Sequence, residues 1–414
     1  MRRGWSGDSL RHTMSGVFTR LVGQGAVEAE LVAAAMAAPT DSARASSAMT
    51  HAWLFTGPPG SGRSVAALCF AAALQCTADG MPGCGQCRAC STTIAGTHAD
   101  LLRFIPQGLS IGVEEIRGII GTASRRPSTG RCRVVIIEDA DRLTERAANA
   151  LLKLVEEPPP STVFLLCAPS VDPEDIAITL RSRCRHVALV TPTVEAIAQV
   201  LVDEDEIALG EAHWAAAVSG GHVGRARRLA TDPEARDRRN RALGLARDAV
   251  TPSRAYAAVE ELVATAEGEA RDVNVGRDEA ETEELRIAMG AGGTGKGAAG
   301  ALRGSAGALK ELEKRQKSRQ TRASRDALDR ALIDLATYFR DALMVAGGAC
   351  AVTANHPDMA ERVAALAAHA SQDRLLRCIE AVLACREALA MNVKPKFAVD
   401  AMVATVGQAL RTDG

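Results

Sequence analysis

The octapeptide Gly57-Pro58-Pro59-Gly60-Ser61-Gly62-Arg63-Ser64 constrains this chain more than any other stretch. It follows a short apolar run, Ala52–Thr56, and opens a helical run, VAALCFAAALQC. Strand, glycine-rich loop and helix in that order make a cradle for phosphate. Backbone N–H groups and the helix N-terminus face the oxygens, and Ser64 is placed to ligate Mg²⁺. The full pattern is G-x4-G-K-[ST], and here the lysine is Arg63. Arginine keeps the charge but not the compact ammonium that fits between β- and γ-phosphates. The loop therefore predicts a phosphate-binding fold more firmly than it predicts hydrolysis. A second G-x4-G-K spacing at Gly290–Gly297 has no strand before it and Gly after the lysine. Its low-complexity surroundings read as linker.

The chain around the loop alternates strand and helix patterns. Strand candidates are Leu101–Ile105, Val134–Ile137, Val163–Cys167 and His186–Val190. Helix candidates are 16–38 with a strand-like entry, about 112–125, Thr144–Val155 and Ile176–Arg183. Continuous apolar runs are what a parallel sheet buried on both faces requires. A parallel α/β domain over 14–191 follows. After Pro192 only helical periodicity remains, at 193–203, 211–219, 222–231, 235–249 and beyond. The stretch 265–308 runs from acidic to Gly/Ala-rich and reads as a solvated, disordered insertion. Residues 1–13 carry no apolar periodicity and read as a tail or a start-site artefact ahead of Met14.

Composition closes off several function classes. The 414 residues carry 49 basic and 50 acidic side chains, so a globally basic nucleic-acid coater is not expected. Aromatics are 3%, too few for a surface that holds single strands by stacking. Arginine far outnumbers lysine beside abundant alanine, a codon-usage signature more than a functional one. No run of about 18 apolar residues exists, so no membrane span is expected, and a cytoplasmic location follows.

Four of the eleven cysteines, Cys76, Cys84, Cys87 and Cys90, have the spacing C-x7-C-x2-C-x2-C. Overlapping C-x2-C steps with Gly80, Gly83 and Gly85 between them suit tetrahedral Zn²⁺ in a closed, structural site. The scattered remainder read as buried free thiols in a reducing cytosol. Val134–Asp139 ends a strand in Glu138-Asp139, where an active ATPase would place Asp then Glu. Each carboxylate is displaced by about one methylene, and phosphoryl transfer depends on such positioning. Ser182-Arg183-Cys184 lies between a helix and the last strand, so Arg183 reads as an arginine able to complete a neighbour's phosphate site. Ser124-Arg125-Arg126 is a small basic spot that suits phosphates, with a solvated loop as the plainer reading.

Together these segments resemble the AAA+ clamp-loader family of bacterial DNA polymerase III. The matching residues are Val22-Gly23-Gln24, the Gly57–Ser64 loop, the four cysteines, the run Ala147–Pro159 (AANALLKLVEEPP) and Ser182-Arg183-Cys184. A collar-like segment, Asn392–Asp400, extends the match. The resemblance implies a RecA-like AAA+ P-loop domain (14–191) with a zinc module (76–90), an all-α lid (192–250) and an all-α collar (251–414). The insertion at about 265–308 matches nothing in the family. It implies that Val22, Gly23 and Gln24 lie near adenine and that Arg183 acts as an arginine finger in trans. It also implies partners: delta and gamma/tau subunits in a hetero-pentamer, the sliding clamp, and primed DNA through the assembly.

Departures from the family pattern favour a stator over a motor. They are Arg63, the Glu138-Asp139 order, Cys167-Ala168-Pro169-Ser170 where a sensor Thr or Asn would stand, and Gly224-Arg225, with the lid arginine one place late. ATP with Mg²⁺ remains compatible with the loop, and the chain's own turnover is expected to be weak or absent. It would belong to a nucleotidyltransferase complex without being its catalyst. The competing expectations are the ATP-hydrolysing motor subunit of the same machine and an independent zinc-containing AAA+ ATPase.

Overall fold

The computed structural model describes residues 16–38, 49–289, 298–349 and 352–411. The tail at 1–13, Met14, the loop Gly290–Gly297 and Cys350 lie outside the described residues. Two compact units form: 110–200 with the residues up to 106, and 201 onward with 107–109.

The first unit contains α1 (Gly25–Met36), β1 (Ala52–Thr56), α2 (Arg63–Gln75), α3 (Arg88–Ile94), β2 (Leu101–Phe104), α4 (Val113–Ala123), β3 (Arg133–Ile137), α5 (Glu145–Glu156), β4 (Thr162–Ala168), α6 (Ile178–Arg181) and β5 (Arg185–Ala188). The strands make one all-parallel sheet in the order β2-β3-β4-β1-β5. Alternate side chains enter opposite cores. Trp53, Phe55, Val134, Ile136, Leu165 and Cys167 pack with α1 and α2. Leu54, Val135, Ile137, Phe164 and Leu166 pack with α4 and α5. Both faces are covered, so β1, β3 and β4 are buried along their whole length and apolar at every position but Thr56, Arg133 and Thr162. Thr144 caps α5 by accepting from the Ala147 N–H, and Pro158-Pro159-Pro160 prevents continuation.

One early expectation is corrected here. The entry at 16–20 is a 3₁₀ turn, Val17–Arg20, not strand-like. Val17 N–H donates to the Gly83 carbonyl at 2.9 Å, and Val17 and Phe18 are buried. The segment is thus tied to the cysteine region instead of adding to the sheet.

Helix α7 (Val194–Asp205) crosses from the first unit into the second. The second unit then contains α8 (Leu209–Val218), α9 (Val223–Thr231), α10 (Pro233–Asp248), α11 (Pro252–Ala288), α12 (Ala298–Ala346), α13 (Ala360–His369), α14 (Gln372–Ala390) and α15 (Pro395–Leu410). Val259, Leu328, Leu332, Phe339, Leu375 and Val382 are fully buried in its core. Helix α10 contributes Ala242, Leu243, Leu245 and Ala246 to that same core. Residues 265–288 and 298–308 are helical, which corrects the expectation of disorder for those parts of the insertion, residues 290–297 lying outside the described residues. The seam of α11 is Leu262, Ala266, Ala270 and Asn274, one residue per turn, so small side chains suffice to pack α12. Arg319 of α12 pairs with Asp278 and Glu281 of α11 farther along. Among the described residues no helix is long and apolar enough to cross a membrane.

Candidate phosphate site and four-cysteine centre

The glycine-rich loop leaves β1 at the carboxyl edge of the sheet, between the ends of β4 and β5, where open parallel sheets bind ligands. Gly57 has φ +157°, and a Cβ there would stand 2.5 Å from Ser61 Oγ and 2.7 Å from the Leu189 carbonyl. Gly62 is left-handed at φ +92° and forms the N-cap of α2. These conformations are what glycine is needed for. Gly57 N–H is held by the Pro169 carbonyl, and Ser61 N–H by Pro58. Two loop atoms, Ser61 Oγ and Arg63 Nη1, are buried with no hydrogen-bond partner. Buried donors of this kind are costly unless a ligand or water meets them. Pro58 and Pro59 form the exposed lip, and Gly60 sits behind it at φ +89°.

Gln24 buttresses this loop. It is 3% exposed, and its amide donates to the carbonyls of Val190 at 2.6 Å and Ser61 at 3.3 Å. Its Oε1 accepts from the Val190 N–H at 3.2 Å. Gly23 is exposed with its φ at +69°, a Cβ there would touch Pro192, and Val22 is half-buried. The segment 22–24, a distant match in sequence, therefore lies beside the phosphate loop.

Across the loop, Ser64 Oγ donates to Glu138 Oε2 at 2.9 Å. Arg103 of β2 donates from Nε to Glu138 Oε1 at 2.6 Å. Asp139 has a left-handed backbone conformation and lies 4.0 Å from Arg142. Asp141, which no motif singles out, is half-buried; burial first, then the Asp139 charge, raises its pKa. Ser170, at the place of a sensor residue, donates instead to Asp175 at 2.7 Å. Arg103 was also missed. Only the pairing of β2 with β3 brings it to Glu138, and no linear spacing announces that.

Arg183 stands elsewhere. Trp53 pairs with Arg185 and Thr56 with Ala188, so Arg183 precedes the paired edge while Gly57 follows the opposite one. The strand between them covers about 10 Å at roughly 3.3 Å per residue. Arg183 is not brought to its own chain's loop. Its guanidinium donates to the Thr179 carbonyl and pairs with Glu156 at 2.6 Å, both side chains 40% exposed. Arg225 of α9 is bound to Asp334 of α12. Ser124, Arg125 and Arg126 are exposed on the loop after α4.

The sulfur atoms of Cys76, Cys84, Cys87 and Cys90 all lie within 4.8 Å of one another, and those of Cys76 and Cys87 are 3.9 Å apart. Tetrahedral zinc with Zn–S near 2.3 Å needs sulfurs about 3.8 Å apart, so the donor set fits the ion. Burial works against ionisation of Cys87, but hydrogen bonds from the Thr77 and Cys90 backbones outweigh it and bring its pKa to about 6. Cys76 is lowered in the same way against its burial, with Cys84 as the first donor. Burial pushes Cys90 up, and the neighbouring thiols add to it. The module anchors inward through Arg131, which donates to the Cys76 carbonyl at 2.7 Å. Zinc here would supply a cross-link for a loop-rich segment, with no catalytic partner beside it.

Comparison with known proteins agrees with this architecture. Residues 36–193 match the family model described as DNA polymerase III, delta subunit. The delta-prime subunit of Pseudomonas aeruginosa DNA polymerase III is 38% identical over 186 residues, 43% of this chain and 55% of that protein. The delta-prime subunit of Bacillus subtilis is 34% identical over 157 residues, 38% and 47% of the two chains. The tau subunit of Bacillus subtilis is 35% identical over 179 residues, 42% and 31% of the two chains. This chain spans about half the length of the delta-prime relatives it matches. The resemblance read from its motifs is thus borne out: through its α/β unit the chain is similar to the delta-prime subunits of bacterial DNA polymerase III and, at comparable identity, to tau.

Proposed function

We propose that this chain is the stator, or delta-prime-type, subunit of a bacterial clamp loader. It assembles with delta and gamma/tau subunits in a hetero-pentamer that places the sliding clamp on primed DNA in the cytoplasm. In this reading Arg183 completes the ATP site of an adjacent motor subunit, and helices 192–250 and 251–411 serve as lid and collar. The position of Arg183 carries the reading. It is exposed, at the sheet edge away from its own phosphate loop, and held by one surface ion pair and by exposed hydrogen bonds to the Thr179 carbonyl and the Ser182 hydroxyl. Such a pair is worth about 0–1 kcal/mol, so Glu156 parks the guanidinium without retaining it. The four cysteines hold structural zinc, and the Gly57–Ser64 loop binds a nucleotide phosphate with little or no turnover.

The test mixes the purified chain with the other clamp-loader subunits and follows ATP turnover. An arginine finger in trans is worth roughly 10³-fold or more in turnover. A silent chain alone, with assembly activity collapsing on Arg183→Ala, is the expected result. Turnover by the chain alone, indifferent to Arg183, refutes the stator and supports a motor. The motor reading has its own support in the tau similarity and in the retained Ser64.

A further inference from the structure

In a P-loop site the serine hydroxyl and the acidic strand end share a divalent cation, which neutralises the phosphate charge. Here a side chain holds that place. Arg103 Nε lies 2.6 Å from Glu138 Oε1, and Ser64 Oγ lies 2.9 Å from Oε2. Glu138 is 13% exposed and Arg103 33%, so the pair sits at the rim of the loop, partly screened from water. Both carboxylate oxygens are engaged, one by a fixed positive charge. Mg²⁺ demands near-ideal octahedral oxygen ligation and is repelled by a guanidinium on its own ligand. The ion does not fit Glu138 while Arg103 is there.

We propose that Arg103 replaces the divalent cation of this phosphate site, so that any nucleotide it takes is bound in a metal-independent way. Arg63 and Arg103 then supply two permanent cations in place of a lysine and a metal ion. Arg63 Nη1 is a buried donor without a hydrogen-bond partner, and Arg103 neutralises the acid that would otherwise repel a phosphate. This rests on the reading of the loop as a phosphate site. It does not depend on the partner assembly, so a failure of either idea is visible separately.

The experiment titrates a fluorescent ADP analogue into the full chain with Mg²⁺ and with EDTA, for wild type, Arg103→Ala and Arg103→Gln. Unfolding midpoints accompany each variant, and the glutamine variant keeps most of the stem packing if alanine disturbs the strand. Wild type is expected to respond to Mg²⁺ by less than about twofold, including the case of equally weak binding in both buffers. Both variants are expected to gain about tenfold or more from Mg²⁺, with Mn²⁺ producing the same gain. A wild-type affinity that Mg²⁺ tightens by about tenfold overturns the proposal. Variants as indifferent to the metal as wild type overturn it too, because Arg103 would then not be what excludes the ion.

Discussion

Replacing Asp100 should cost this protein more than any surface charge. The residue is 1% exposed, just before β2. Its Oδ1 accepts from Ser128 N–H at 2.7 Å, Ser128 Oγ at 3.1 Å and Arg133 Nη2 at 3.0 Å. Its Oδ2 accepts from Thr129 N–H and Gly130 N–H at 2.7 Å each and from Thr129 Oγ1 at 3.0 Å. Asp100→Ala strands three backbone donors and a buried guanidinium. Breaking a buried pair by removing one partner costs about 3–5 kcal/mol, a large part of the roughly 5–15 kcal/mol of a whole domain. Asp100→Asn keeps an acceptor and should lose about 1.5–3 kcal/mol, the worth of a charged hydrogen bond. Burial opposes ionisation of this carboxyl, but the N–H groups of Gly130, Thr129 and Ser128 outweigh it, so its pKa falls below the usual range. A depressed carboxylate stabilises above the unfolded pKa, near 4, and that share is lost as pH falls through the folded pKa. The loss runs at up to about 1.4 kcal/mol per pH unit, and Asp100→Asn should flatten this limb. The assay is urea unfolding read from Trp53 with Trp5 and Trp214 changed to Phe. A loss under about 1 kcal/mol for Asp100→Ala, or an unaltered acid limb in Asp100→Asn, refutes the argument.

The remaining predictions concern the zinc centre and the loop. The purified chain should carry about one zinc, and Cys84→Ser should lose it, together with several kcal/mol of stability. Metal analysis and thermal unfolding before and after a strong chelator check this; full stability in a metal-free chain sinks the structural role. Gly57→Ala should destabilise by about 1–3 kcal/mol and abolish phosphate binding, since the new methyl meets Ser61 Oγ and the Leu189 carbonyl. Denaturant titration beside nucleotide titration separates the two effects, and unchanged binding would contradict the loop geometry.

Much of the first unit was legible because its strands are buried on both faces. Val134–Ile137 and Val163–Cys167 lie within strands as expected, since continuous apolar runs have few alternatives there. The cysteines converged because three of them lie within seven residues, and chain length alone keeps them close. Arg103 and Asp100 were not legible. Each acts through strand order, which brings β2 to β3, and through a loop folding back on Asp100. The helices at 265–288 and 298–308 were hidden for another reason. A seam made of Ala266, Ala270 and Asn274 carries almost no hydrophobic signal, so composition pointed to a solvated coil.

Under the stator reading, four arginines explain why a nucleotide fold need not hydrolyse. Arg63 keeps a cation in the loop, with one buried donor left without a partner. Arg103 neutralises the acid that would hold the metal. Arg225, next to the place of a lid arginine, is committed to Asp334, with a side chain 16% exposed against 6% for its partner. Freeing it would leave a buried carboxylate unpaired, a cost of several kcal/mol that a nucleotide contact would have to exceed. Arg183 is held only by exposed contacts, hydrogen bonds to Thr179 and Ser182 and an ion pair worth under about 1 kcal/mol. The cations that would serve this chain's own site are therefore fixed in ways that favour binding over turnover. The one cation that is cheap to release points away from that site, at the edge a neighbour can reach.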